Sequence, residues 1–174
     1  MTDQELKDLV ASLAVAQAKT DQQLAKTDAK LDRLADLYGG VASNQGSAAE
    51  EFFYNSLNAN PVLGGIQFDR VTPNVTVGTS KKHAEFDIVL VNGNSVAVVE
   101  VKYKVHANDL EKTEKNLQRY RQFYPEHKAY ALYGGIAGFS VPPEIARSAK
   151  EKGLFVLKRK GDVFAVDATA MRPL

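Results

Sequence analysis

A carboxylate and an ammonium group stand in the most apolar stretch of the sequence. Residues 95–104 read SVAVVEVKYK, the pattern of a central strand covered on both faces, yet they include Glu100 and Lys102. Side chains two residues apart in a strand point to the same face. Burying an unpaired charge costs several kcal/mol, and pairing often only offsets that cost, so an apolar pair would serve stability better. The pair therefore indicates a chemical role.

A third charge reaches the same place through a hairpin. FDIVLV at 86–91 is typical of a strand, and Asn-Gly-Asn at 92–94 predicts the turn that joins it to the apolar strand. Pairing across this turn places Asp87 opposite residues 98 to 100. A register with Asp87 on the Glu100 face would bring two carboxylates and the lysine ammonium together.

Two converging carboxylates without Cys or His favour a hard divalent cation such as Mg²⁺ or Mn²⁺, with water in the remaining positions. Such an ion can activate water and neutralise the charge that develops on a phosphate. Lys102 could hold the attacking water or a phosphate oxygen. The alternative is a salt-bridged Glu100–Lys102 pair at a strand end, and the context of Asp87, hairpin and apolar strand favours the site.

The elements that must position these residues follow from turn and cap residues. The pattern predicts a helix from Asn44 or Ser47 to about Leu57, an edge or bulged strand at 71–77 containing Pro73, a helix from Asn108 to about Tyr124, a strand at 128–133 closed by Gly134-Gly135, a helix from Pro142-Pro143 to Gly153, and strands at 154–158 and 163–166. The helix that follows the apolar strand acts as a crossover and implies a parallel partner. We therefore expect an α/β fold with a mixed central β-sheet flanked by helices.

The N-terminal segment has a period of seven, most visible where AKTDQQL at 18–24 is followed by AKTDAKL. The two core positions of the heptads read Val10, Gln17, Leu24, Leu31, Tyr38 and Leu6, Leu13, Thr20, Thr27, Leu34. This repeat predicts a long coiled-coil helix that needs partners, because a lone helix with an exposed Leu stripe is marginal in water. The alternative is that the helix folds back on its own domain.

Composition limits the remaining possibilities. The chain has 174 residues, a net charge of +1 and no Cys, which excludes disulfide scaffolds and thiol catalysis. No apolar run approaches the roughly 18 residues of a membrane span, and the polar, acidic start is not a secretory signal, so a cytoplasmic location is expected. Gly, Pro and aromatic residues begin only at Tyr38. We therefore predict a coiled-coil helix at 1–38, a Gly/Ser linker at 39–46 and a catalytic domain at 47–174.

The arrangement of Asp87 followed by Glu100-Val101-Lys102 across a hairpin resembles the PD-(D/E)XK nuclease superfamily. The segment NQGSAAEEFF at 44–53 is similar to the first helix of archaeal Holliday-junction resolvases, which supplies another acidic residue; Glu50 matches it, with Glu51 as the fallback. The resemblance covers roughly residues 44–134. It departs at Phe86, where the name-giving Pro is absent.

The resemblance implies a role for each matched residue. Asp87, Glu100 and the backbone carbonyl of Val101 would bind Mg²⁺, with Mn²⁺ as a substitute, and Glu50 would be a further ligand. Lys102 would be the catalytic lysine. The implied catalytic set is Glu50, Asp87, Glu100 and Lys102, and no small-molecule cofactor is implied.

NLQRY at 116–120 is similar to the Gln-Leu-x-x-Tyr signature of recombination-type nucleases, with Asn116 in place of Gln. Gln118 is an alternative for that Gln. The competing interpretation is that Leu117 and Tyr120 belong simply to the core.

Basic residues surround the predicted site, and any one of them could also be solvated surface. The residues predicted to contact nucleic acid are Lys81, Lys82, Lys104, Gln118 and Arg119. His83 and His106 are expected to be exposed or to face phosphate. The sequence thus predicts a metal-dependent DNA endonuclease or structure-specific nuclease that self-associates through residues 1–38. The alternatives are a non-cleaving relative that binds nucleic acid or protein on the same fold, and an oligomeric scaffold whose coiled coil is the functional part.

Overall fold

The computed structural model describes residues 2–174, with the side chains of residues 31–39 left out of the description. The chain divides into two compact units, Met1–Asn44 and Gln45–Leu174. One helix, α1, runs from Asp3 to Ala59 and so belongs to both units. No helix in the described part of the chain is long and apolar enough to cross a membrane.

The predicted linker at 39–46 is helical, so the expected helix start at Asn44 or Ser47 is wrong. The segment holds three Gly, each of which costs about 1 kcal/mol relative to Ala inside a helix, but no Pro. A helix already formed on both sides continues across such a segment because propagation is easier than a new start. The domain boundaries themselves remain a prediction.

Apolar side chains of the predicted heptad stripe are exposed in the first unit. The exposed fractions are 45% for Leu6, 58% for Val10, 60% for Leu13 and 57% for Leu24. Leu31, Leu34 and Tyr38 lie outside the described side chains. The coiled coil remains a prediction. If it forms, these exposed apolar side chains are the ones that a partner helix would bury.

The second unit is built on a six-stranded sheet in which each strand lies next to its neighbours in sequence. A short hairpin, β1 (Val62–Leu63) and β2 (Ile66–Gln67), precedes it. The sheet strands are β3 (Arg70–Gly78), β4 (His83–Val91), β5 (Ser95–Lys104), β6 (Ala131–Ser140), β7 (Phe155–Lys160) and β8 (Val163–Asp167). Strands β5, β6 and β7 are parallel to one another, and the other neighbours are antiparallel. The predicted mixed sheet is confirmed, with β3 at one edge.

Helices cover the two faces of the sheet. Helix α2 (Ala107–Phe123) joins β5 to β6, and α3 (Pro143–Glu151) joins β6 to β7. One apolar cluster lies between the sheet and α2, around Leu117 and Tyr120. The other joins the sheet to the C-terminal part of α1, around Phe53 and Leu57. The α/β class, with helices flanking a mixed sheet and a long helix before it, is therefore confirmed.

The start of helix α2 and both ends of strand β6 differ from the sequence prediction. Helix α2 begins two residues earlier than expected, with His106 rather than Asn108 at its N-cap, because the Asp109 carboxylate accepts the backbone N–H of His106 at 2.8 Å. Strand β6 begins at Ala131 and continues through Gly134 and Gly135, which were expected to end it. A Cβ at these two positions would collide with Leu117 and Phe155, so the glycines make room for core side chains.

Candidate active site

Asp87 and Glu100 meet where β4 and β5 separate. The paired backbone of the two strands ends at Ile88 opposite Val99. One residue further, Asp87 Oδ2 accepts the backbone N–H of Val101 at 2.7 Å, so a side chain takes the place of the next strand-to-strand bond. This is the register in which the hairpin turn places Asp87 beside Glu100.

Glu100 is the central group of the cluster and is 4% exposed. Its Oε1 accepts the ammonium of Lys102 at 2.7 Å and that of Lys112 at 2.8 Å. Its Oε2 accepts the side-chain amide of Asn116 at 2.9 Å. Both oxygens of this buried carboxylate are therefore hydrogen-bonded, which offsets the cost of burying its charge.

Lys102 lies between a side chain and the backbone of its own strand. Its Nζ donates to Glu100 Oε1 and, at 3.1 Å, to the carbonyl oxygen of Val101. The ammonium is thus held beside the Val101 carbonyl, which is predicted from the sequence as a metal ligand. The side chain keeps 28% exposure, so it can still reach a solvent-borne group.

The two carboxylates have opposite pKa shifts. Burial and the neighbouring Glu100 charge raise the pKa of Asp87 from 3.8 to about 6, against the lowering effect of the Val101 N–H. Burial alone would raise the pKa of Glu100 as well, but hydrogen bonds from Lys102 and Lys112 outweigh it and lower that pKa. Glu100 is therefore the firmly ionised member, and Asp87 takes up a proton more readily.

An open cavity of about 290 Å³ adjoins these groups. Its lining consists of His83, Ala84, Glu85, Asp87, Glu100, Lys112, Asn116 and Arg119. Helix α2 supplies three of these residues, at positions 112, 116 and 119, because residues three and four apart share one helix face. The cavity brings a carboxylate pair and cations of α2 to one solvent-accessible place.

The oxygen donors fit a hard divalent cation, although no three His, Asp or Glu side chains in residues 2–30 and 40–174 come close enough to hold an ion by themselves. The protein donors would be the carboxylates of Asp87 and Glu100 and the carbonyl of Val101, with water completing the shell. Mg²⁺ is commonly held by one or two carboxylates in this way. A cation here would also relieve the repulsion that raises the pKa of Asp87.

Glu50 lies on α1 near this pair. Its negative charge contributes to the raised pKa of Asp87. Its side chain lines a separate cavity together with Glu51, Tyr54 and residues 73–74 of β3. The structure therefore places Glu50 beside the Asp87–Glu100 pair but outside the main cavity.

The predicted nucleic-acid contacts fall into three groups. Arg119 lines the main cavity, while Lys81 and Lys82 lie in the exposed turn before β4 and Lys104 at the exposed end of β5. Gln118 lines a different cavity, together with Leu132 and Leu174. It is two residues from Asn116, and residues two apart in a helix do not share a face. Gln118 is thus not brought to the site.

Sequence reasoning missed the two partners of Glu100 on α2. From the sequence, Asn116 is interpreted only as a replacement within the NLQRY motif, and no role is assigned to Lys112. Their spacing of four residues was the available signal, since it puts both on one helix face. Leu117 and Tyr120 are buried at 2% and 1% exposure, as the core interpretation expects, while Asn116 between the core and the site contacts Glu100.

Asp87→Asn is expected to stabilise the metal-free protein above pH 6. Because the folded state holds the Asp87 proton more tightly than the unfolded chain, the wild-type protein loses stability as pH rises from about 4 to about 6. Asn keeps an acceptor for the Val101 N–H but carries no charge. The gain should reach about 1–3 kcal/mol, given about 1.4 kcal/mol per pKa unit.

Thermal unfolding of both proteins in chelator across pH 4–8 measures this difference. The lowered pKa of Glu100 acts in the opposite direction and at lower pH, so it does not produce the same profile. Equal stabilities of the two proteins at all pH values would contradict the raised pKa of Asp87.

Lys112→Met is expected to tighten Mn²⁺ binding by about two- to fivefold. Lys112 is 57% exposed and competes with a cation for Oε1 of the buried Glu100, and an ion pair with one solvent-exposed partner is worth roughly 0.5–1 kcal/mol. Calorimetric titration measures the affinity, with Lys115→Met on the same helix as the control. Weaker binding by Lys112→Met would mean that Lys112 orients Glu100 for the metal instead.

No family model matches the chain, and no curated protein matches it significantly. Solved structures of similar fold include a repair endonuclease from Pyrococcus abyssi, with 17% identity and a TM-score of 0.47 over 64% of this chain and 46% of that one. A second, from an EndoMS–dsDNA2 complex, has 15% identity and a TM-score of 0.47 over 64% of this chain and 44% of that one.

A third similar structure is Can2 from Sulfobacillus thermosulfidooxidans in complex with cyclic tetra-adenylate. It has 15% identity and a TM-score of 0.46 over 64% of this chain and 32% of that one. The chain thus spans less than half the length of each of these proteins. The chemistry of the site therefore rests on this chain's own residues.

Proposed function

We propose that the protein is a Mg²⁺-dependent deoxyribonuclease of the PD-(D/E)XK type, an endonuclease or structure-specific nuclease. The observation that carries the proposal is the cluster where β4 and β5 stop pairing. There, Asp87 and Glu100 line an open cavity, and Lys102 contacts both Glu100 and the Val101 carbonyl. Stability alone gives no reason for this cluster in the middle of an apolar sheet.

Each residue has a role that its surroundings support. Asp87, Glu100 and the Val101 carbonyl would hold Mg²⁺, with Glu50 adding negative charge from α1. When bound, the ion supplies an acidified water and offsets charge on the scissile phosphate. Lys102 orients that water or a phosphate oxygen through its ammonium, and Lys112, once displaced from Glu100, is free to meet a phosphate together with Arg119.

Asn116 has a positioning role in this proposal. Its amide holds Glu100 Oε2 at 2.9 Å from the buried face of α2, which fixes the rotation of the carboxylate. Tyr120, one turn further along α2, packs edge-on against Phe86 at a centroid distance of 5.4 Å and ties the helix to β4. The face of α2 that carries Asn116 is thereby held against the strand that carries Asp87.

Self-association through the N-terminal helix belongs to the same proposal. A pair of active sites on one assembly suits an enzyme that acts on two DNA strands. The exposed apolar stripe of α1 supports this view, because such a stripe needs a partner in water.

The test is cleavage of single-stranded, duplex and branched DNA with Mg²⁺, Mn²⁺ or chelator. Cleavage should require the ion, and the double variant Asp87→Asn, Glu100→Gln should lose both cleavage and Mn²⁺ binding in calorimetric titration. Unchanged Mn²⁺ binding by this variant would contradict the assignment of Asp87 and Glu100 as metal ligands. A wild-type protein that binds DNA and never cuts it would favour the alternative, an inactive nuclease fold that binds nucleic acid or acts as a scaffold.

A further inference from the structure

A row of aromatic and arginine side chains crosses the sheet one residue beyond Lys102. The register pairs Lys102 with Gly138, Gly138 with Lys158, and Arg159 with Phe164. The next residues along the parallel strands therefore form one row across β5, β6, β7 and β8. We call this row the aromatic strip, and its members are Tyr103, Phe139, Arg159 and Phe164.

Neighbours in a row of this kind point to the same face of the sheet. The rings of Tyr103 and Phe139 are 5.4 Å apart between centroids. The Arg159 guanidinium lies over the Phe139 ring at 4.6 Å and over Phe52 of α1 at 5.3 Å. Tyr103, Phe139 and Arg159 therefore form a continuous set of flat groups.

The strip is held in place and still open to solvent. Phe52 packs edge-on against Phe139 at 5.3 Å, and Arg159 Nε donates to the Gly161 carbonyl at 2.8 Å. Tyr103 is 41% exposed, which is high for an aromatic side chain so close to a packed core. Its ring can therefore accept a further flat group without any rearrangement of the core.

The cation on the strip's own face is Arg159. Lys104, Lys158 and Lys160 adjoin strip residues along β5 and β7, and their side chains leave these strands on the opposite face. In the described part of the chain Arg159 forms no ion pair. The nearby acids in sequence are Glu51, beside Phe52, and Asp162 in the turn after β7. Aromatic rings beside an arginine are a surface that binds single-stranded nucleic acid, because bases stack on the rings while the guanidinium meets a phosphate or a base.

We propose that the aromatic strip is a base-stacking platform for single-stranded nucleic acid, with Tyr103 as the open stacking ring. Tyr103 is adjacent in sequence to Lys102, and their side chains leave β5 on opposite faces. A strand whose phosphate lies at Lys102 would cross the end of the sheet and place an unpaired base on Tyr103. This inference rests on the proposed function in one respect: it identifies the bound strand as the nuclease substrate, with unpaired nucleotides next to the cleaved bond. The stacking itself does not depend on cleavage.

The test uses the full chain in chelator, so that binding is measured without cleavage. The probe is a short oligo(dT) carrying one 2-aminopurine, whose fluorescence falls when the base stacks, together with a duplex of the same length. Tyr103→Ala should weaken binding of the single strand by about tenfold, the effect of losing one base–aromatic stack, and abolish the quenching. Tyr103→Phe should retain both, and binding of the duplex should change by less than twofold in either variant.

Two outcomes would overturn the proposal. One is unchanged single-strand affinity and quenching in Tyr103→Ala; the other is an equal loss in Tyr103→Phe. Should Tyr103→Ala fail to fold, Arg159→Gln provides the second measurement, because loss of the guanidinium should weaken single-strand binding and its salt dependence. A wild-type protein that quenches the probe but cuts no DNA with any metal would leave the platform standing and remove the nuclease proposal.

Discussion

Lys102→Ala should reduce DNA cleavage by roughly 10²–10³-fold while Mn²⁺ binding survives. The ammonium lies beside Glu100 and the Val101 carbonyl, where it can meet the attacking water or a phosphate oxygen, but it is not a metal ligand. Its removal takes away a charge that matters most in the transition state. Single-turnover cleavage and calorimetric titration of Mn²⁺ on the same preparations separate the two effects.

The fold should tolerate this change, because Lys112 and Asn116 continue to satisfy the Glu100 carboxylate. A matched control is Lys150→Ala on α3, which breaks an ion pair with Asp167 of similar length, 3.0 Å, far along the chain from the site. The control should cleave normally, since such an exposed pair contributes little to stability. Near-normal turnover by Lys102→Ala would return the Glu100–Lys102 pair to the role of a salt bridge at a strand end.

The site was predictable to the extent that local rules determine it. The Asn-Gly-Asn turn sets the register of β4 and β5, and that register alone puts Asp87 beside Glu100. The alternation of side chains along β5 then puts Lys102 on the same face. Lys112 and Asn116 on α2 were not predictable in this way. Their contacts with Glu100 depend on how the crossover helix packs on the sheet, and the sequence of β5 does not determine that packing.

The fold was predictable for similar reasons, and the prediction of element boundaries was wrong where it relied on glycine. Gly134 and Gly135 predict the end of a strand, yet they lie inside β6, where Leu117 and Phe155 fill the space of the missing side chains. The three glycines at 39–46 likewise predict a linker, and the helix continues through them. Glycine permits a turn but does not require one. In both cases the packing and the secondary structure of the flanking residues determine whether the strand or helix continues.

Deleting residues 1–44 should convert an oligomer into a folded monomer and weaken binding of two-site DNA. Among the described side chains, both apolar clusters are built from residues 49–171, so the second unit keeps its core without the first. About 130 residues suffice to bury such a core. Linking two sites raises affinity by about 10²–10⁴-fold through effective concentration alone, and this factor should be lost while cleavage per site remains.

A pair of point variants tests the same idea in the full chain. Leu13→Lys puts a charge on the predicted heptad stripe, whereas Val15→Lys puts it at an apolar residue outside the stripe; the two side chains are exposed at 60% and 70%. If the stripe is the contact between copies, light scattering after size exclusion should show dissociation for Leu13→Lys and none for Val15→Lys. A wild-type protein that runs at 19.0 kDa would mean that the heptads do not join copies of this chain, and the stripe would then have to meet a different protein or its own domain.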